Sequence, residues 1–411
     1  MVAALKKYDV IIVGSGLAGA SLALALAPCG LQIAIIDSQM PNAFKLETAL
    51  KDQRSVALTY GSHKIFESLG LWEAIVDYAT PIHQIHVSQK GTFGATRLKA
   101  AEAGVSALGY VTGIMHLNQV LQQQLDRSSV KQYYASEVVE VFKNESTMRL
   151  RVIHEQASFD VETKLIVAAD GTHSSIRQLF HIPVQKKQYA EQAIVAQIGL
   201  AQAHKNIAYE RFTAAGTIAF LPLDNKHCGL VWSVKEEAAA AYAELSDADF
   251  LDILQNTFGY RLGPFKTVSQ RAMYPLNLQE TEEQIRPRLV LLGNAAHTLH
   301  PVAAQGFNLS LRDVAVLAEE LVNAYQANAD LGAWQVLENY VGLREVDQKN
   351  TLRFTDALTA IWHNHNKLFN SVRAAALIVL DTQPFLKDFF MQHTMGLALP
   401  MAKLSRGIKL C

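Results

Sequence analysis

Cysteine is scarce, with Cys29, Cys228 and Cys411 the only three in 411 residues. No CxxC pair occurs, and no cysteine is spaced from a histidine as metal ligands are. That excludes a zinc site and a disulfide framework, so the three read as reduced thiols of a cytosolic protein. An excess of one charge is also lacking: the formal net charge of −1 argues against nucleic acid as a partner and against strong docking on anionic lipid. Repeats, low-complexity segments and clean membrane spans are missing as well. Val10–Ile36 holds no charged residue, yet Gly14, Gly16, Gly19, Pro28 and Gly30 cut it into pieces too short to cross a bilayer. Met1–Tyr8 carries Lys6 and Lys7, but the apolar run behind them leads to no cleavage site, so no signal peptide is expected. What remains is an ordinary globular balance, 50% hydrophobic and 18% charged, long enough for two or three domains' worth of core.

The pieces of the N-terminal run have an order. Asp9–Val13 is β-branched, Leu17–Ala27 is small and helical, and Leu31–Ile36 is a second strand ending at Asp37. Between the first strand and the helix stands Gly14-Ser15-Gly16-Leu17-Ala18-Gly19. Gly14 permits the tight turn, Gly16 lets the backbone approach a pyrophosphate, and Gly19 lets helix and strand pack closely. Asp37 falls where a carboxylate accepts hydrogen bonds from a ribose. The strand–turn–helix–strand–acid context separates this from a glycine-rich turn that binds nothing.

Further on, Lys51–Trp72 reads as a turn entering a helix, with Leu58, Ile65, Phe66 and Leu69 apolar. Arg54 begins it, either as a cation over phosphate and ribose or as a solvated surface charge. Thr80–Leu98 alternates as strands do, Gly109–Leu125 is helical in its second half, and Val138–Phe159 reads as strands around a turn at Asn144–Thr147. Leu165–Ala169 is a buried strand followed by Asp170-Gly171-Thr172-His173-Ser174-Ser175-Ile176-Arg177, an Asp-Gly turn leading to a serine helix cap, with Arg177 about one helical turn beyond. Residues 185–274 are strand-rich around one helical insert, Asp247–Phe258. Arg288–Asp313 then repeats the strand, turn, helix order. Leu289–Leu292 is the strand and Gly293 ends it, while Pro301 and Gly306 shape the turn. From Ser310 the apolar residues Leu311, Val314, Leu317, Leu321 and Tyr325 recur at helical spacing. Such a helix start receives an electron-rich ligand, here on the backbone N–H groups of Gln305–Leu309. A flat ring with a carbonyl edge suits the placing of Pro301 and Asn308 better than a bare phosphate does.

The three signatures GSGLAG, ADGTHSSIR and GNAAHTLHPVAAQGFNLSLRD, in that order over nearly the whole chain, resemble the single-component FAD-dependent aromatic hydroxylases of the para-hydroxybenzoate hydroxylase-like superfamily. The writing GNAA-x-TLHP with QGFNL-x-LRD looks most like the branch acting in ubiquinone biosynthesis. The resemblance implies an α/β fold: a doubly wound, Rossmann-like FAD-binding domain interrupted by a substrate domain with a mixed sheet, and then a C-terminal helical region. The expected boundaries are 1–78, 105–182 and 285–333 for the first, 79–104 and 183–284 for the second, and 334–411 for the third. FAD, bound tightly without a covalent link, would be held by Gly14, Gly16, Gly19 and Asp37, with Arg54 nearby. Asp170, Gly171 and Arg177 would serve both FAD and a passing NAD(P)H. Pro301 would lie by the isoalloxazine, with Gln305, Gly306, Phe307 and Asn308 at its pyrimidine edge. One departure stands out: the family usually has aspartate where this chain has Asn294, which still hydrogen-bonds but brings no charge.

The same resemblance implies that NAD(P)H reduces the flavin, that O₂ adds at its C4a carbon, and that the distal oxygen of the resulting hydroperoxide passes to the ring of a polyprenylated (methoxy)phenol. Water must be kept out, so an apolar cover is needed. A single GxGxxG leaves no dedicated nicotinamide domain. His300 is the candidate phenol base, against a histidine satisfied by neighbouring backbone; His297 reads as structural. The C-terminal stretch Trp334–Cys411 is amphipathic. It either packs on the core or forms an apolar surface for a prenyl tail, for another ubiquinone-biosynthesis protein, or for peripheral contact with the inner face of the membrane by an otherwise cytoplasmic protein. Other flavin oxidoreductases of this fold, such as a prenyl reductase, and a non-catalytic prenyl-binding relative are the rival readings. The four tryptophans, none of them two apart, leave no halogenase signature.

Overall fold

A computed structural model describes residues 5–41, 54–299, 305–363, 367–398 and 401–411. The chain opens with β1 (Lys6–Val13), α1 (Leu17–Leu26) and β2 (Ile33–Ile36). Next come β3 (Ser55–Thr59), α2 (Tyr60–Ser68), the short α3 (Trp72–Ile75), β4 (Ala79–Ile82), β5 (Gln84–Gln89), β6 (Ala95–Lys99) and β7 (Gly109–Gly113). Then α4 (Ile114–Arg127) leads to β8 (Lys131–Tyr133), β9 (Ser136–Lys143), β10 (Met148–His154), β11 (Ala157–Ala168) and α5 (Ser175–Leu179). The following block holds β12 (Val184–Leu200), β13 (Ile207–Thr213), β14 (Gly216–Asp224), β15 (His227–Lys235), α6 (Glu236–Glu244), α7 (Asp247–Phe258), β16 (Phe265–Val268) and β17 (Ala272–Thr281). Finally β18 (Ile285–Arg286), β19 (Leu289–Leu291) and β20 (His297–Thr298) precede α8 (Gln305–Gln326), α9 (Trp334–His363), α10 (Lys367–Thr382) and α11 (Pro384–Thr394).

The first sheet runs β18-β19-β11-β1-β2-β8 and is parallel from β19 to β8. Its central strand is apolar on both faces because both are covered. Val10 and Ile12 meet the helical layer, including Leu22 of α1, Leu121 of α4 and Leu317 of α8. Ile11 and Val13 meet Val138, Leu150 and Ile176. That second cover comes from the antiparallel hairpin β9–β10, which continues from the first half of β11, and from the short α5.

The second sheet runs β20-β17-β12-β15-β14-β13-β5-β6, with β16 also on β12. It is antiparallel except where β13 lies parallel to β5. Its core packs Trp232, Phe220, Phe250 and Phe258 under α7. A small antiparallel sheet, β3-β7-β4, sits at the join.

Three elements differ from expectation. Ser55–Thr59, read as part of a turn, is a strand that pairs with β7. The helix expected from Ser310 begins at Gln305. The reading of all three cysteines as free thiols holds for buried Cys228 but is overturned for the others, since Cys29 and Cys411 form a disulfide, Cα–Cα 5.6 Å. The terminal segment is brought there by its packing on α2, where Ser68 Oγ donates to the Leu404 carbonyl at 2.8 Å. Among the described residues, no helix is long and apolar enough to cross a membrane, and no cluster of metal-ligating side chains occurs.

Candidate active site

The three glycines of the first turn divide their work. Gly14 has φ +103°, and a Cβ there would stand 2.4 Å from the Ala169 carbonyl oxygen. A Cβ on Gly19 would stand 2.0 Å from the Gly14 carbonyl oxygen, so these two glycines exist for packing. A Cβ on Gly16 would meet nothing within 4 Å. Gly16 caps α1 without a side-chain hydrogen bond, the first turn holds no acid, and the residue lines a cavity of about 1030 Å³. The N-terminal N–H groups of α1 and its positive dipole end therefore face open space suited to an anion. At the end of β2, the Asp37 carboxylate accepts from both the amide and the hydroxyl of Ser15, each at 2.6 Å, and from the Gln39 amide at 2.9 Å. It is tied to the glycine loop.

Arg54 lines the same cavity at the start of β3, its guanidinium 5.6 Å over the ring of Tyr274 on β17, a partner that sequence reasoning did not identify. Gly171, at φ +84°, also lines the cavity. Asp170 accepts through Oδ2 from Ser175 Oγ at 3.1 Å and the Ile176 amide at 3.2 Å, while its Oδ1 is buried with no partner among the described residues. Arg177 turns elsewhere. It is buried, with its guanidinium donating to the carbonyls of Ala295 at 2.8 Å and Thr172 at 2.7 Å, and burial lowers its pKa. Its work is to clamp the Asp-Gly turn to the turn after β19.

In that second turn, Gly293 (φ +61°) fits against Ala18 and Ser310, and Asn294 is exposed to the cavity. Gln305, Gly306 and Phe307 open α8 on the cavity wall, and a Cβ on Gly306 would meet nothing within 4 Å. Phe307 stacks on Phe66 of α2 at 6.4 Å. Asn308 is fully buried as a clamp: its Oδ1 accepts from the Thr59 amide at 2.8 Å and Ser62 Oγ at 2.7 Å, and its Nδ2 donates to the Ala57 carbonyl at 2.7 Å. The expected residues His300 and Pro301 lie outside the described residues.

Beyond α8 stands a buried charge network that sequence reasoning missed. Asp313 accepts from Arg344 Nε at 2.6 Å and Gln348 Nε2 at 3.0 Å, and its other oxygen lies 2.7 Å from His297 Nε2. Asp347 joins Arg312 and Arg344, both at 2.7 Å. Burial works to raise the Asp313 carboxyl, but Arg344 and then His297 outweigh it and hold the group at about 2. His297 is structural in this arrangement. The available signal was the i, i+3, i+4 spacing of Arg344, Asp347 and Gln348 on α9, one face that points at the Arg312-Asp313 pair of α8. Past this network, the cavity continues between the second sheet (Ile85, Val87, Phe212) and the C-terminal helices (Leu377, Leu380, Phe390).

A doubly wound sheet with an open glycine cradle, a second helix start and an apolar chamber between them defines a nucleotide-cofactor enzyme. Comparison with known proteins specifies which. Residues 7–354 match the FAD binding domain family, and the chain belongs to that family. It is 33% identical to the ubiquinone hydroxylase UbiL of Rhodospirillum rubrum over 98% of this chain and 94% of that one. It is 27% identical to the 3-demethoxyubiquinol 3-hydroxylase of Escherichia coli over 95% and 99% respectively. By structure, it is similar to the p-nitrophenol 4-monooxygenase PnpA of Pseudomonas putida, with a TM-score of 0.79, 16% identity, and coverage of 97% of this chain and 100% of that one. FAD is the cofactor, and the protein is an FAD-dependent aromatic hydroxylase. The open space at Gly16 and the orphaned buried oxygen of Asp170 fit that group.

Proposed function

We propose that the protein hydroxylates the aromatic ring of a polyprenylated (methoxy)phenol in ubiquinone biosynthesis, with NAD(P)H and O₂ as co-substrates. The observation carrying this reading is the continuity of one cavity. It runs from the backbone cradle at Gly16, Asn294 and Gly306, past the apolar inner face of the second sheet, to Leu377, Leu380 and Phe390 beneath the C-terminal helices. A small phenol would not need the last third; a phenol with an apolar tail would. Bound FAD supplies the reduction and oxygen chemistry, and the chain supplies position and dryness. In this reading Gly16 opens the cradle for the adenosine-pyrophosphate end, Gly14 and Gly19 shape that cradle by close packing, and Asp37 stands beside it. Arg54, Gly171 and Asn294 line the middle with Asp170 behind the Gly171 turn, and Pro301 with Gln305, Gly306, Phe307 and Asn308 frames the ring. Arg177 and Asn308 position backbone rather than touch the ligand with their side chains. His300 takes the phenol proton.

The exposed apolar residues of α10 and α11, Phe385 (81% exposed) and Phe389 (60%) among them, support peripheral contact with a lipid surface from the cytoplasmic side. Phe389 also lines the cavity, so that surface and the tail channel meet.

The test compares a prenylated methoxyphenol with the same phenol lacking its tail. Leu377→Trp, which plugs the channel, is expected to raise KM at least tenfold for the first and leave the second unchanged. Equal effects on both would contradict the tail assignment. His300→Ala is expected to keep its FAD and slow hydroxylation by a factor of about 10²–10⁴; unchanged turnover removes it from the mechanism.

A further inference from the structure

The second sheet turns its other face away from the cavity, and that face carries cations. His86 and Ser88 of β5 point there, with Lys90 just past the strand end. Tyr209 stands opposite His86 and Arg211 opposite Ser88 on β13, and Arg97 of β6 stands opposite His86. The end of α7 covers them. Phe258 meets Tyr209 edge-on at 5.6 Å, and Lys90 Nζ donates to the Asn256 carbonyl at 2.9 Å. The chain leaving α7 adds the exposed Arg261.

Arg211 is 9% exposed, its NH1 donates to Ser88 Oγ at 3.1 Å, and its buried Nε–H has no acceptor among the described residues. Beside it His86, 8% exposed, has a buried Nδ1 without a partner. Arg97 is already matched, bonding Asp381 of α10 through its amide at 2.7 Å and NH1 at 3.3 Å. Among the described residues no carboxylate pairs with Arg211 or Arg261, and Glu210, the nearest acid in sequence, lines the cavity on the opposite face. Burial, followed by the charge of Arg261, pushes the Arg211 guanidinium down to about 10 and the His86 imidazole to about 4. A buried guanidinium next to a second cation, with a free N–H and no counter-charge, is an arrangement that an anion completes.

We propose that Arg211, Arg261 and His86 form an anion site on the outer face of the second sheet, separate from the flavin cavity, that takes a phosphate group. The planar guanidinium forks suit phosphate oxygens in pairs. The group has two sources, a soluble phosphate or a phospholipid headgroup. The second is favoured by the neighbouring α10–α11 surface, which is fixed to this sheet through Asp381 and exposes Phe385. The proposal stands independently of the identity of the hydroxylated phenol.

FAD-loaded protein, whose flavin cradle is filled, is titrated with inorganic pyrophosphate by calorimetry and separately floated with phosphatidylcholine vesicles containing phosphatidic acid. Arg261→Gln changes an exposed residue and spares the fold; Arg211→Met removes the buried charge; Arg127→Gln, at an exposed position of α4, is the control. Pyrophosphate binding weakened about tenfold or more in Arg261→Gln and Arg211→Met but not in the control establishes a soluble ligand. Flotation reduced in Arg261→Gln and not in the control, without pyrophosphate binding, establishes a headgroup site. Equal binding by all variants, or binding in neither arm, overturns the proposal.

Discussion

Gly16 and Gly19 are three residues apart in one motif and answer to different physics. Gly16→Leu would place its side chain in the open cradle, so the variant is expected to fold with the melting temperature of the flavin-free wild-type protein and to lose its yellow colour. Gly19→Ala would set a Cβ against backbone at 2.0 Å and is expected to lower the melting temperature whether or not flavin is present. Differential scanning fluorimetry with absorbance at 450 nm or thereabouts separates the two, and a flavin-retaining Gly16→Leu would contradict the assigned cradle. Asp313 presents the other residue-scale case. Asp313→Asn leaves Arg344 buried without its main partner, at an expected cost of about 3–5 kcal/mol in urea unfolding. Because its folded pKa is depressed to about 2, its contribution is present above the unfolded value and is lost as acid drives the pH from about 4 toward 2. A wild-type loss of stability in that window that is shallower in Asp313→Asn is the expected result, since Asp347 and Asp330, also held down by arginine partners, remain.

At the scale of elements, what could be read from sequence depended on whether the cause was local. The helix expected over Asp247–Phe258 has those limits in the structure, and its causes are local: Ser246 caps it by accepting from the Asp249 amide, and Phe250, Leu254 and Phe258 recur on its buried face. The glycine motif was legible for the same reason. Ser55–Thr59 was missed because five residues running directly into a helix carry little periodicity, and β7 holds Gly109, whose Cβ would stand 2.3 Å from the Leu58 carbonyl oxygen. That close approach explains a glycine in a strand only once the partner strand is known. The early start of α8 has a similar origin. Asn308 satisfies Ala57, Thr59 and Ser62 from the far side of the chain, and sequence alone showed a polar turn there. Asn308→Ala orphans those groups and is expected to cost about 2–3 kcal/mol and to weaken FAD retention, read by flavin release on dilution. Full retention would show that α8 is held by other contacts.

The whole molecule is closed by a link that no local pattern announces. Cys29 and Cys411 are 382 positions apart, yet the terminal turn on α2 delivers one to the other. Reduction, or Cys29→Ser, is expected to cost about 2–4 kcal/mol and to free residues 401–411 for proteolysis; identical digestion patterns with and without reductant would contradict it. Buried Cys228, whose thiol burial pushes up to about 12, is expected to stay unreactive throughout. The same long-range assembly makes one cavity from the first helix, the second sheet and the C-terminal helices, and the proposed chemistry depends on that continuity.

The decisive measurement follows the FAD-loaded protein after anaerobic reduction by NAD(P)H and mixing with oxygen, in the presence of a prenylated methoxyphenol, with the phenol analysed by mass spectrometry. A product heavier by one oxygen atom, labelled when ¹⁸O₂ is used, is the expected result. Reoxidation that leaves the phenol unchanged and releases only hydrogen peroxide would contradict the proposed substrate.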